Sequence, residues 1–217
     1  MVNIRKAAMI GCGFVGSSSA FALMQSGIFS EMVMIDVNRE KAEGEAMDIA
    51  HGLPFARPIR LYAGTYDDIV DAAIIIITAG ANQKPGETRL DLIHKHVEIY
   101  KTIIPQIATR NCEGMLLIVS NPVDILTYTA LKLSGFPENR VLGSGTVLDT
   151  ARLKYLIGEH LKVDNRSVHA FIIGEHGDSE LAAWSNANVS GVRLDAFCEM
   201  RVNHLKVYEC KVGMLGE

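Results

Sequence analysis

Lys6-Ala7-Ala8-Met9-Ile10-Gly11-Cys12-Gly13-Phe14-Val15-Gly16 is an apolar run that breaks into three glycines at the spacing G-x-G-x-x-G. The first glycine of such a turn permits the tight exit from a strand, and the second lets a pyrophosphate approach the backbone. The third lets the following helix pack against the strand. The phosphates then sit at a helix N-terminus, where backbone N–H groups point at them. Gly11, Gly13, Phe14, Val15 and Gly16 are therefore candidate cofactor contacts. A second apolar run ends in Asp36, 20 residues beyond Gly16. A carboxylate there accepts hydrogen bonds from ribose hydroxyls and repels a 2′-phosphate, which favours NAD over NADP. Arg39 lies close by and is the residue that could soften that preference.

Outward from this turn, apolar runs alternate with amphipathic stretches. Lys6–Ile10, Met32–Ile35, Ile59–Ala63, Ala73–Thr78, Met115–Ser120 and Val141–Gly143 read as strands. Unbroken hydrophobicity in Ile74–Ile77 and Met115–Val119 is the mark of strands buried on both faces, as in a parallel sheet. Val15–Gln25, Arg39–Ala50, Leu90–Thr109 and Val123–Leu133 read as helices, with Tyr66–Val70 as a single turn. The alternation predicts a doubly wound α/β fold with a mostly parallel, Rossmann-type sheet. From Gly145 the character changes: Asp149–His160 reads as a helix, Val168–Ile173 as a strand, and Ser179–Ala187 as a polar, small-residue segment. The expected organisation is a dinucleotide-binding domain over residues 1–144 and the first part of an α+β catalytic domain over 145–217, incomplete at Glu217. No repeat or low-complexity tract interrupts the chain.

With 217 residues, a 48% hydrophobic and 21% charged composition and a formal charge of −4, the chain has an ordinary globular profile. It carries no basic excess to suggest nucleic acid or an anionic membrane surface. Its longest apolar runs fall far short of the about 20 residues of a membrane span. No secretory signal is legible at the N-terminus, and Cys12, Cys112, Cys198 and Cys210 show neither metal-ligand nor disulfide spacing. The expectation is a cytoplasmic protein without a metal.

Two distant segments carry the chemistry: Leu148-Asp149-Thr150-Ala151-Arg152 and Gly174-Glu175-His176-Gly177-Asp178. Hydride transfer to a ketone needs a proton donor, an anchor for a substrate carboxylate and a group that polarises the carbonyl. Histidine titrates near neutrality, so His176 is the candidate acid/base. Asp149 would hold its tautomer and stabilise the imidazolium. Arg152, one helical turn beyond Asp149, has the planar fork that suits a carboxylate. The other histidines, His51, His94, His96, His160 and His204, read as ordinary core or surface residues, and His94 and His96 do not face one another on a helix. Ala79-Gly80-Ala81-Asn82-Gln83-Lys84-Pro85-Gly86-Glu87-Thr88-Arg89 is a polar loop at a carboxyl end of the sheet, where open α/β folds bind ligands. It reads either as a loop that closes over substrate and brings Arg89 to the carbonyl, or as a surface loop with Thr88 capping a helix. Asn121-Pro122 ends strand five, as an amide contact to cofactor or substrate or as a plain turn.

Taken together, these stretches closely resemble the L-lactate dehydrogenases of the lactate/malate dehydrogenase superfamily, above all the bacterial members. The matching segments are Ile10–Gly16, Met34–Asp36, Glu45–Pro54, Thr78–Leu92, Val119–Asp124, Gly143–Arg152 and His169–Trp184. The resemblance implies an NAD-dependent oxidoreductase interconverting pyruvate and L-lactate in fermentative glycolysis. It gives His176 the role of proton donor/acceptor, Asp149 that of its partner, Arg152 the substrate carboxylate and Arg89 the ketone. Asn121 would contact the substrate oxygen, and Ala79 and Gly80 the cofactor. Gln83 falls at the position that separates lactate from malate enzymes, where a second substrate carboxylate would want arginine. The resemblance also implies a homotetramer activated by fructose 1,6-bisphosphate. His169 matches the activator-binding histidine, and Lys154 stands where arginine is common, which keeps the charge and loses the fork. A malate dehydrogenase and a catalytically silent NAD-binding protein are the competing readings, the first disfavoured by Gln83. After Met200 the family pattern fades, and the helices that complete the second domain in relatives are not recognisable before Glu217.

Overall fold

The computed structural model describes residues 1–81 and 86–201; at Arg89 and Arg201 it describes the backbone alone. The chain divides into two units, residues 1–143 and 144–217. The first is built on six parallel strands: β1 (Asn3–Ile10), β2 (Glu31–Ile35), β3 (Arg60–Ala63), β4 (Ala72–Ile77), β5 (Met115–Ile118) and β6 (Val141–Gly143). Their order is β3-β2-β1-β4-β5-β6, so the sequence reverses direction across the sheet at β1 and β4. The doubly wound parallel sheet is the one the alternation predicts.

Side chains alternate across each strand, and this sheet is covered on both faces. Ala8 and Ile10 join Val33, Ile35, Ile75, Ile77, Leu116 and Ile118 on one face. That face is covered by Tyr100, Ile103, Ile104 and Ile107 of α3 (Arg89–Ala108) and by Val123, Leu126 and Ala130 of α4 (Val123–Ser134). Ala7 and Met9, pointing the other way, pack with Met32, Met34 and Ile76. Ala20 and Met24 of α1 (Phe14–Ser26) and Ala42, Ala46 and Ile49 of α2 (Arg39–Ala50) cover this second face. Each fully buried large aliphatic side chain contributes about 1.5–3 kcal/mol, so two faces of them dominate the stability of this unit.

In the second unit, α5 (Val147–Leu161) buries Leu153, Ile157 and Leu161 at helical spacing against Val168, Ala170, Ile172, Ala187, Val189 and Leu194. The single strand expected over Val168–Ile173 is two: β7 (Val168–His169) and β8 (Ile172–Ile173). The first pairs antiparallel with β10 (Asn188–Val189), which also pairs with β11 (Val192–Arg193); the second pairs with β9 (Leu181–Ala182). The break comes from α5. Ile172 N–H donates to Thr150 Oγ1 at 2.9 Å, and Ile172 C=O accepts from Thr146 Oγ1 at 2.7 Å, so hydroxyls take the groups a continuous ladder would use. The helix α6 (Leu194–Arg201) closes the described part, and none of the described helices is long and apolar enough to cross a membrane.

Each of the three cores holds one thiol: Cys112 in the first, Cys12 in the second and Cys198 in the third. All three are buried and none is in a disulfide; Cys210 lies outside the described residues.

Candidate active site

Register places the site. Ile10 is level with Ile35 and Ile77, and Ile77 with Ile118, so four strands end on one line. Gly11, Asp36, Thr78–Ala79 and Val119–Asn121 leave the sheet from that common edge, around the point where strand order reverses. Open parallel sheets bind ligands in this crevice.

The glycine turn is built for close approach. Gly11 has φ +101°, and a Cβ there would lie 2.6 Å from Ala79 N; a Cβ on Gly16 would lie 1.9 Å from Gly11 O. Around Gly13 nothing comes within 4 Å, which leaves open the flank a pyrophosphate needs. The helix α1 starts with no side-chain cap and no acidic residue in its first turn, so its amide end suits an anion; Phe14 and Val15 stand exposed there. Asp36 is fixed by the same turn: Cys12 N–H donates to Oδ2 at 2.7 Å and Asn38 N–H to Oδ1 at 2.9 Å. Arg39 pairs with Glu43 at 2.8 Å on the exposed face of α2. Asp36, Gly11, Gly13, Ala79 and Gly80 line one cavity of about 670 Å³. Val37, Lys41, Tyr66, Ile99 and Thr102 line it too. Sequence reading missed them, although Ile99 and Thr102 share a helical face of α3 and could have been found by projecting that face to the sheet edge. Burial, with Asp36 nearby, pushes the Cys12 thiol up to about 12, so it is a neutral packing group under the turn.

Carboxyl-edge loops hold the other predicted residues of this unit. Thr88 caps α3: Asp91 N–H donates to Thr88 Oγ1 at 3.2 Å and Thr88 N–H to Asp91 Oδ2 at 3.0 Å. This reciprocal cap fixes the backbone of Arg89, the first residue of α3; its side chain lies outside the described residues, as does Gln83. Asn121 sits beyond β5, just before α4, and its carbonyl is bound by His96.

In the second unit His176 and Asp149 meet. Nδ1 of His176 lies 2.5 Å from Asp149 Oδ2, with Asp149 buried and the histidine a quarter exposed. Asp149 stands in the first turn of α5, where the helix dipole favours its charge. The hydroxyls of Thr146 and Thr150 on that turn fix Ile172, and the chain reverses at Gly174 (φ +98°) to deliver His176. Arg152 Nη1 donates to the second oxygen, Asp149 Oδ1, at 3.1 Å, while most of its side chain stays exposed. Glu180 brings a third ligand-type atom within 4.8 Å of this pair. Lys154, with Thr150, Tyr155 and Arg166, lines a separate cavity of about 470 Å³. His169 on β7 is exposed and is not among its lining residues, so the two expected activator ligands are not brought into one pocket of the chain.

A dinucleotide cradle at the reversal of a parallel sheet, with a histidine–aspartate pair in the following unit, defines the class of NAD-binding dehydrogenases. Residues 5–143 match the family model for the lactate/malate dehydrogenase NAD-binding domain, and residues 146–209 that for the family's alpha/beta C-terminal domain. The L-lactate dehydrogenase of Acetivibrio thermocellus is 56% identical over 212 residues, covering 95% of this chain and 67% of that protein. L-lactate dehydrogenase 1 of Clostridium acetobutylicum is 56% identical over 194 residues, 89% of this chain and 62% of its own length. A solved lactate dehydrogenase from a Medee basin deep-sea metagenome library superposes with a TM-score of 0.93 at 46% identity, over 99% of this chain and 68% of that one. The ligand-bound minor L-lactate dehydrogenase of Enterococcus mundtii gives a TM-score of 0.91 at 45% identity, over 97% of this chain and 67% of that one. The chain belongs to the L-lactate dehydrogenases of the lactate/malate dehydrogenase family. It spans about two thirds of the length of these relatives.

Proposed function

We propose that the chain reduces pyruvate to L-lactate with His176 as acid/base, in a cytoplasmic, fermentative setting. The observation that carries this reading is the 2.5 Å contact between His176 Nδ1 and Asp149 Oδ2. With Nδ1–H committed to the carboxylate, the proton exchanged with the substrate is carried on Nε2, and the growing imidazolium is stabilised by Asp149. NADH, when bound, supplies the hydride. Gly11, Gly13, Phe14, Val15 and Gly16 hold the phosphates, Asp36 the adenosine ribose, and Ala79, Gly80 and Asn121 the far half of the dinucleotide. Arg152 binds the substrate carboxylate by its exposed guanidinium while its Nη1 stays on Asp149, and Arg89 polarises the ketone. Gln83, uncharged, accepts the methyl end of pyruvate and offers no counter-charge to a second carboxylate.

The test is NADH oxidation by this 217-residue chain with pyruvate and oxaloacetate side by side. Turnover favouring pyruvate is expected, and Gln83→Arg should move the preference toward oxaloacetate. NADH binding without turnover on either substrate would leave a cofactor-binding protein and sink the enzymatic reading.

The same reading extends to a homotetramer whose activity rises with fructose 1,6-bisphosphate, through Lys154 and His169. Lys154 and Arg166 do line a common cavity, but Asp164 Oδ2 holds Arg166 at 2.6 Å, so Lys154 is the principal cation there. We expect weak activation in a titration with the bisphosphate, diminished by Lys154→Gln; a flat titration would remove the allosteric assignment.

A further inference from the structure

We infer that His96 is a positioning residue that ties the loop leaving β4 to the loop leaving β5 and so sets the surface for the nicotinamide half of the dinucleotide; this rests on the function proposed above. His96 is only 5% exposed, on α3 two turns beyond Arg89. Its Nδ1 lies 2.6 Å from Asn121 O, and Ala81 N–H points at its Nε2 at 2.9 Å. A carbonyl can only accept, so Nδ1 donates to Asn121 O, and Nε2 takes the N–H of Ala81. Ala81 O also lies 3.0 Å from Nε2.

The location gives this contact its consequence. Beyond Ile77 the chain has left the sheet, and the backbone of residues 79–81 must be held by side chains. Ser120 Oγ donates to Ala79 O at 2.6 Å from the β5 side. His96 takes Ala81 from the α3 side, and the ring lies close enough to Gly80 that a Cβ there would be 3.2 Å from Nε2. Ala79 and Gly80 line the same cavity as Asp36. The glycine turn and Asp36 serve the adenosine diphosphate half; the ends of β4 and β5 serve the other. One rigid ring with a nitrogen at each edge can bridge the two loops. Lysine and arginine offer no acceptor, and serine is too short.

Asparagine and glutamine divide the two bonds while remaining polar and close in volume. In His96→Asn the amide reaches the Nδ1 position and keeps Asn121 O, losing Ala81. In His96→Gln the side-chain carbonyl reaches the Nε2 position and keeps Ala81 N–H, losing Asn121 O. Calorimetric titrations of the full chain with NADH and with ADP separate the halves of the cofactor. Each variant should bind NADH about tenfold more weakly, the equivalent of one hydrogen bond, with ADP affinity unchanged within about twofold. Unchanged NADH affinity in both variants would overturn the inference, as would an equal loss for NADH and ADP, which marks a structural role alone. A parent chain that binds ADP and not NADH overturns the function proposed above, and this inference with it.

Discussion

Asp149 is held by two partners, His176 on Oδ2 and Arg152 on Oδ1, so its substitution disturbs both. Asparagine in its place keeps the volume, but its amide can present N–H to His176 Nδ1 and select the other tautomer. Asp149→Asn is expected to slow single-turnover NADH oxidation by about 10²–10⁴-fold. NADH affinity should be retained, because the cradle is built in the first unit. A rate within threefold of the parent would show that the aspartate does not orient the acid/base. The pair was legible in the sequence because each member lies in its own short motif. His96 was not: the two backbone groups it binds lie 15 and 25 residues away, and no spacing rule links them.

At the scale of elements, the strand–turn–helix unit of β1, the glycine turn and α1 separates folding from binding. The Gly16 Cβ would meet Gly11 O at 1.9 Å, so Gly16→Ala has to open the turn; it should cost about 1–3 kcal/mol of stability and abolish NADH binding. Gly13 has extended backbone (φ −76°, ψ −175°) and empty space around its missing Cβ. Gly13→Ala should therefore melt within a degree or two of the parent yet bind NADH at least about tenfold more weakly, because the methyl occupies the phosphate flank. Thermal melts paired with titrations check both; a Gly13→Ala protein with full affinity would place the pyrophosphate elsewhere. The six parallel strands were legible from unbroken apolar runs, since burial on both faces leaves no other pattern. The split of Val168–Ile173 was not, because the threonine hydroxyls that end the ladder come from the start of α5, 22 and 26 residues earlier.

For the molecule as a whole, the titratable groups of the first unit set its tolerance of alkali. Burial alone would lower the Lys6 ammonium, but hydrogen bonds to Asp71 and Glu31 outweigh it and raise the group. Tyr62 and Tyr66 are raised chiefly by burial, and Cys12 likewise to about 12. Each holds its proton more tightly folded than unfolded, so its stabilisation is complete below the unfolded value and is lost as pH rises through the folded one. The melting temperature should fall progressively above about pH 9. In Lys6→Met it should start lower, and its fall above pH 10 should be shallower; a parent melting temperature level from pH 9 to 11.5 would contradict the assignment. The placement of one thiol in each of three cores has a separate use. A thiol-modifying reagent cannot reach Cys12, Cys112 or Cys198 until the core around it admits solvent. Peptide-resolved labelling therefore times three local openings in one native chain, like three clocks started together, and shows which part of the molecule loosens first.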